Sequence, residues 1–191
     1  MNVQLTSTLS PADCDILEKI YTGSFPEEER RPWSDICRPA TPGCPQLLAI
    51  LADSRIAGLI TLWRFPRFAY IEHLAIDDSL RGSGIGSLAI RCVIDEIGGL
   101  PLVVEIEPPV ASLPQTVSRH KFYTRLGFST IDTAYVQPPY APGLPSVSLH
   151  LMATTVLPSA STARTLHTRV YGRAVSRRAD FFLQGGSYGV L

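Results

Sequence analysis

Residues 70–86, YIEHLAIDDSLRGSGIG, constrain this chain more than any other stretch. Ile71, Leu74 and Ile76 are β-formers, and the polar pair Asp77-Asp78 ends the run. Gly82, Gly84 and Gly86 follow, three glycines in five residues. The apolar segment after them, 87–97, is helix-forming. Strand, glycine loop and helix in that order make an arrangement that binds phosphate. Glycine lets backbone N–H groups approach an anion with no Cβ in the way. The start of the helix adds unpaired N–H donors and the positive end of its dipole.

Three glycine-loop patterns compete for this stretch. A dinucleotide fingerprint, G-x-G-x-x-G/A, fails because Ser87 stands at its third glycine position. A P-loop fails because no Gly-Lys pair occurs in the chain. The third pattern, Arg/Gln-x-x-Gly-x-Gly/Ala, is met by Arg81, Gly84 and Gly86. It resembles the loop with which the GCN5-related N-acetyltransferases, the GNAT family, hold the pyrophosphate of acetyl-CoA. On these six residues alone a plain glycine turn competes equally. A second segment, FYTRLGF at 122–128, shifts the balance, because it closely resembles the GNAT helix that lies across from that loop. An amphipathic helix capped at Gly127, with Phe122, Leu126 and Phe128 in the core, accounts for three of its residues. It leaves Tyr123 on a different part of the helix face.

The remaining chain reads in order as follows. Residues 3–8 alternate like an edge strand. Ser10, Pro11 and Asp13 mark a helix start, and Ile16, Leu17, Ile20 and Tyr21 recur at helical spacing. Residues 23–26 break that helix, a charged segment with Trp33 follows, and 39–45 form a Pro/Gly-rich loop. Residues 46–52 and 56–63 are apolar strands joined as a hairpin at Asp53-Ser54-Arg55. Three strands thus precede the glycine loop. Gly98-Gly99 ends the next helix, 102–107 is a strand, and a loop runs from Pro108 to about residue 116. A helix over 118–127 and strands at 129–136 and 147–152 complete the pattern, with Tyr140 in a proline-stiffened loop between those strands. This is a mixed α/β (α+β) order. Its match to the GNAT fold implies a mostly antiparallel, splayed central sheet flanked by helices. The resemblance covers about residues 3–155, so the expected division is an acetyltransferase domain at 1–156 and a C-terminal segment at 157–191. In that segment 159–171 forms a short helix with Leu166 and Val170 on one face, and 173–191 is a basic, flexible tail.

The length, 191 residues, suits one domain with a tail. Net charge is zero, which argues against a nucleic-acid partner. Cys14, Cys37, Cys44 and Cys92 form no C-x-x-C pair, and with the histidines they give no metal spacing. They read as reduced, mostly buried thiols of a cytoplasmic protein. The N-terminal residues lack the pattern of a signal peptide, and no run reaches membrane-spanning length. A homodimer is open.

Acetyl transfer from a thioester to an amine makes three demands. The first is a cofactor site. The resemblance assigns it to Arg81, Gly82, Ser83, Gly84, Ile85 and Gly86 for the pyrophosphate, and to the backbone of Leu74 and Ile76, which pairs with the pantetheine arm as an added strand would. The second is a proton acceptor, since an alkylammonium titrates near ~10. Glu72, an acid in an apolar strand, is the first choice. The two-residue period places it on the face of Leu74 and Ile76, with His73 opposite, and desolvation should raise its pKa. Glu105 and Glu107 on the adjacent strand are the alternates, and all three could line a cleft for a cationic amine. The third is a proton for the leaving thiolate, whose acid titrates near ~8.5. The resemblance implies Tyr123 as its donor. Glu28, Glu29, Arg30 and Trp33 fall where the family commonly borders its acceptor site. The expected function is acetyl-CoA-dependent N-acetylation of a small-molecule or peptide amine by direct transfer. No cysteine lies in either motif, which weighs against an acetyl-enzyme. The alternatives are a catalytically silent CoA-binding module and use of a longer acyl-CoA.

Overall fold

The computed structural model describes residues 1–38, 41 and 43–172. Seven strands form one sheet: β1 (Val3–Thr6), β2 (Gln46–Ala52), β3 (Arg55–Arg64), β4 (Ala69–Ile76), β5 (Leu102–Ile106), β6 (Ser129–Gln137) and β7 (Val147–Ala153). Their order is β1-β2-β3-β4-β5-β7-β6. Every neighbouring pair is antiparallel except β4 with β5. The β2–β3 hairpin turns at Asp53 and Ser54, both at positive φ, the twist that a two-residue turn between such strands requires.

Among the described residues, five α-helices flank the sheet: α1 (Pro11–Ser24), α2 (Trp33–Ile36), α3 (Ile85–Glu96), α4 (Pro114–Arg125) and α5 (Ser159–Leu166). The start of α1 is fixed by its sequence. The Asp13 amide donates to Ser10 Oγ, and the Ser10 amide donates to Asp13 Oδ2 at 2.8 Å, which satisfies two orphan donors at once. One face of the sheet packs on α3 and α4, with Ile90 and Val93 against Ile71, Val104 and Met152. The other face carries α1 over Ala49, Leu59 and Ala75. Beside α1, the helical segment 159–171 packs over Tyr70, Val103 and Leu151.

The local readings hold with shifted boundaries. β1 stops at Thr6. α3 begins at Ile85, two residues before the expected start. α4 begins at Pro114, inside the expected loop, because proline is well placed at the first helical position. α5 gives way to a single π-turn, His167–Tyr171. Far from standing apart, this segment buries Leu166, Val170 and Tyr171 in the core. The expected basic tail, 173–191, lies outside the described residues. The four cysteines are unpaired and half-buried rather than buried. Among the described residues no helix is long and apolar enough to cross a membrane.

Candidate functional site

The site begins where β4 and β5 part. Their parallel pairing has three steps, Ala69 with Leu102, Tyr70 with Val103 and Ile71 with Val104. Beyond Ile71, β4 keeps its bonds to β3 alone, and the edge that would face β5 opens into a cleft of about 820 Å³. Glu72 and Glu105 are the first residues past the last paired step.

A bulge sits at this point. Thr61 pairs with His73 but Leu62 pairs with Ile71, so Glu72 is an extra residue in β4. The bulge corrects the expected alternation. Ile71 packs in the α3 side of the core and so do Leu74 and Ile76, but Glu72 and His73 both reach the α1 side. There Glu72 is fully buried and paired with Arg31, whose Nε donates to Oε1 at 2.7 Å. Trp63 Nε1 donates to the other oxygen at 2.7 Å. Arg31 in turn lies between two rings, 5.4 Å from the centroid of Trp63 and 5.2 Å from that of Tyr140. Burial pushes the Glu72 carboxyl up, but Arg31 and the Trp63 hydrogen bond outweigh it and hold the group below the ordinary carboxylate value. The expected rise is therefore not found. His73 is buried beside it, with Nδ1 3.0 Å from Thr61 Oγ1 and Nε2 3.1 Å from the Glu29 carbonyl. Burial lowers its pKa, so it is neutral, and Nε2 must carry the proton because a carbonyl can only accept.

Glu105 has the opposite setting. Among the described residues no cation pairs with it. Tyr135 Oη donates to Oε1 and Tyr171 Oη to Oε2, each at 2.7 Å. Burial and the nearby Glu72 charge raise its pKa and the tyrosine donors oppose the rise, leaving it at about 7. Two carboxyl groups at one opening are thus driven apart, one held ionised and one poised near neutrality.

The glycine loop closes one end of the same cleft. Gly82 and Gly84 adopt φ of +80° and +86°, and a Cβ built on either would meet nothing within 4 Å. The requirement for glycine is thus conformational, and the space in front of the loop is open. Gly84 is the N-cap of α3 and no side chain caps that helix; the Ser87 amide turns back on the Gly84 carbonyl at 3.1 Å, which leaves the amides of Ile85 and Gly86 without an intrahelical partner. Leu74, Ile76, Arg81, Gly82, Gly84, Ile85 and Gly86 line the cleft. Ser83 instead turns its hydroxyl to the Leu80 carbonyl at 2.5 Å. Arg119 and Arg125 of α4 also line the cleft and went unremarked in the sequence. Glu107 lines it as well, paired with Arg119.

Tyr123 reaches this cleft from α4. It is part of the core, with its ring 5.1 Å from Phe122 and 5.3 Å from Phe128 in edge-on contacts. The expectation that packing passes it over is corrected: Tyr123 is buried and Phe122 only partly so. Burial raises its phenol to about 12, which keeps it protonated at neutral pH.

A second cleft, about 710 Å³, opens on the α1 side and is lined by Glu18, Glu27, Arg30, Trp33, Trp63 and Tyr140 among others. Of the acceptor-side candidates, Arg30 and Trp33 lie here, Glu29 lines the first cleft, and Glu28 is exposed and lines neither. Sequence reasoning passed over Arg31, Trp63, Tyr135 and Tyr171. An Arg beside Pro32 and Trp33 was the one signal on offer, and nothing local ties it to a strand 41 positions away.

The model of the acetyltransferase (GNAT) family matches residues 14–128, which include both the glycine loop and the FYTRLGF segment. Among curated proteins none matches the sequence significantly. Among solved structures, the chain is 30% identical to an acetyltransferase assigned to the GNAT family from Bacteroides thetaiotaomicron, covering 90% of this chain and 99% of that one with a TM-score of 0.76. An aminoglycoside 6'-N-acetyltransferase complexed with coenzyme A is 17% identical, with 83% and 98% covered and a TM-score of 0.58. The PaiA N-acetyltransferase of Thermoplasma acidophilum, also complexed with coenzyme A, is 20% identical, with 81% and 99% covered and a TM-score of 0.51. The chain belongs to the GNAT acetyltransferase family.

Proposed function

We propose that this protein is an acetyl-CoA-dependent N-acetyltransferase that moves the acetyl group directly to a primary amine in a ternary complex. The observation that carries this reading is one cleft lined by an open glycine loop, an unpaired strand edge, a protonated Tyr123 and a carboxyl poised near neutrality. The residues present fit the cofactor. The amides of residues 82–86, with Arg81, Arg119 and Arg125, suit a pyrophosphate. The free edge of β4 at Leu74 and Ile76 suits the amides of an extended arm. When bound, acetyl-CoA supplies the thioester and a thiolate leaving group.

Glu105 accepts the proton that the attacking amine sheds, directly or through one water. A base titrating near 7 is matched to this task at neutral pH, whereas Glu72, held ionised by Arg31, is a poorer acceptor. Glu72 instead fixes the positions of Arg31 and Trp63. Tyr123 gives its phenolic proton to the sulfur as the carbon–sulfur bond breaks and the carbon–nitrogen bond forms. The amine enters from the α1 side, where Trp33, Trp63 and Tyr140 provide aromatic walls and Glu18 and Glu27 provide negative charge. The aromatic rings favour an amine with an apolar body, while the acids Glu18, Glu27 and Asp35 are matched in the same lining by Arg30, Arg31 and Arg38. Unpaired cysteines accord with a cytoplasmic setting.

The test is release of free thiol from acetyl-CoA against a panel of cationic, neutral and peptide amines. Turnover on at least one of these amines is expected. Thermal stabilisation by CoA with no turnover on any amine would replace this reading with a silent CoA-binding module.

A further inference from the structure

The helical segment 159–171 lies outside the matched family region, yet it reaches the point where β4 and β5 part. Its π-turn is fastened there twice. Arg31 Nη2 donates to the Val170 carbonyl at 2.7 Å, and Arg31 also holds Glu72. Tyr171 Oη donates to Glu105 Oε2 at 2.7 Å. The Tyr171 oxygen also lies 3.1 Å from Tyr70 Oη. The Tyr70 hydroxyl also bears on the Glu105 carboxylate itself and holds its pKa down. Tyr171 is 1% exposed, so water does not compete for the bond. A single π-turn is a costly local geometry that recurs at functional sites. Here it brings consecutive residues, Val170 and Tyr171, onto Arg31, the partner of Glu72, and onto Glu105 itself.

We propose that Tyr171 is a positioning residue for the acetyl-transfer reaction: with Tyr135 it clamps the Glu105 carboxylate in one orientation at the splay and stabilises its charged form. This rests on the reading of Glu105 as proton acceptor. The groups that face Glu105 are Tyr70 and Glu72 from β4, Tyr135 from β6, Tyr171 from the π-turn and Tyr140 from the loop before β7. Glu72 opposes ionisation of Glu105. Tyr171, Tyr135 and Tyr70 favour it, because a hydroxyl donates to a carboxylate more strongly than to a carboxylic acid. Removing the Tyr171 hydroxyl must then move the titration of Glu105 upward.

The experiment follows that titration directly. Full-length protein labelled with 13C at the glutamate side-chain carboxyl is titrated by NMR, and the Glu105 signal is assigned by its loss in Glu105→Gln. In Tyr171→Phe the midpoint should rise by about one pH unit, the low end for loss of a hydrogen bond to a charged group. Placing 3-fluorotyrosine at position 171, a more acidic donor in a nearly unchanged ring, should move the midpoint down. That variant also keeps the test decisive if Tyr171→Phe does not fold. A merely structural role for the tyrosine predicts no such opposite shifts, and a Glu105 midpoint unmoved by either change overturns the proposal. On the amine selected by the thiol-release panel, the acidic limb of kcat/KM should follow the NMR midpoint in each protein. If Glu105→Gln keeps full turnover, the assignment of Glu105 as proton acceptor fails even where the midpoints shift, so the two failures are separable.

Discussion

Glutamine at position 105 should remove a pH dependence from the stability of this protein. In the folded chain burial lifts the Glu105 carboxyl from its ordinary 4.5 to about 7, while in the unfolded chain it reverts to the ordinary value. Below about pH 4.5 both states hold the proton and stability does not depend on this group. Between there and pH 7 the folded state keeps a proton that the unfolded state has released, so stability falls as pH rises. Above 7 both states are ionised and the full cost is present. Each tenfold change in proton affinity is worth about 1.4 kcal/mol, so lifting the group to about 7 corresponds to a cost of about 3 kcal/mol at pH 8. Glutamine resembles the protonated acid in shape and polarity and never titrates. Urea melts of both proteins at steps from pH 4.5 to pH 8 should therefore show the variant gaining about 3 kcal/mol relative to wild type, with most of the change between pH 5 and pH 7. Comparing the two proteins at each pH cancels the titrating groups that do not interact with position 105. Parallel stability curves across the range would refute the argument, because they would mean that Glu105 ionises as readily in the fold as in water.

Three further outcomes test other parts of the site. Arg31→Leu leaves Glu72 buried without its cation and should cost about 3–5 kcal/mol in urea melts; adding Glu72→Leu should recover most of that loss, and strictly additive effects would show that the pair is not coupled. Gly84→Val forces a branched residue to φ +86° in a loop whose surroundings are open, so the fold should survive while the loop distorts; calorimetry should find weaker CoA binding, and unchanged affinity would remove the loop from the cofactor site. Tyr123→Phe should leave CoA affinity near wild type and lower kcat by about 10²-fold or more, with a smaller loss for an acyl donor whose thiol is more acidic; full activity would end its role as proton donor.

The fold was legible because its signals are local. A glycine loop declares itself through residues that must adopt positive φ, as Gly82 and Gly84 do, and the strand before it and the helix after it follow from hydrophobic period. The FYTRLGF segment placed α4, and the Ser10 to Asp13 capping pattern placed α1. The glycine-loop end of the cleft is built almost wholly from such contiguous segments, so most of the residues that line it there, Leu74, Ile76, Arg81, Gly82, Gly84, Ile85 and Gly86, could be named from the chain alone.

The sequence by itself determined the strand, loop and helix that shape the cofactor cleft, and which acids stand near its opening. Only the tertiary structure decided what those acids are. Glu72 reads as a desolvated acid until Arg31, 41 positions earlier, is folded against it. The two-residue period that put it beside Leu74 assumes an uninterrupted strand, and the bulge at Glu72 breaks that assumption. Glu105 takes its character from Tyr135, 30 positions away, and Tyr171, 66 positions away. A carboxyl's proton affinity is set by the charges, donors and water around it in space, and the fold brings those together from parts of the chain that share no local pattern.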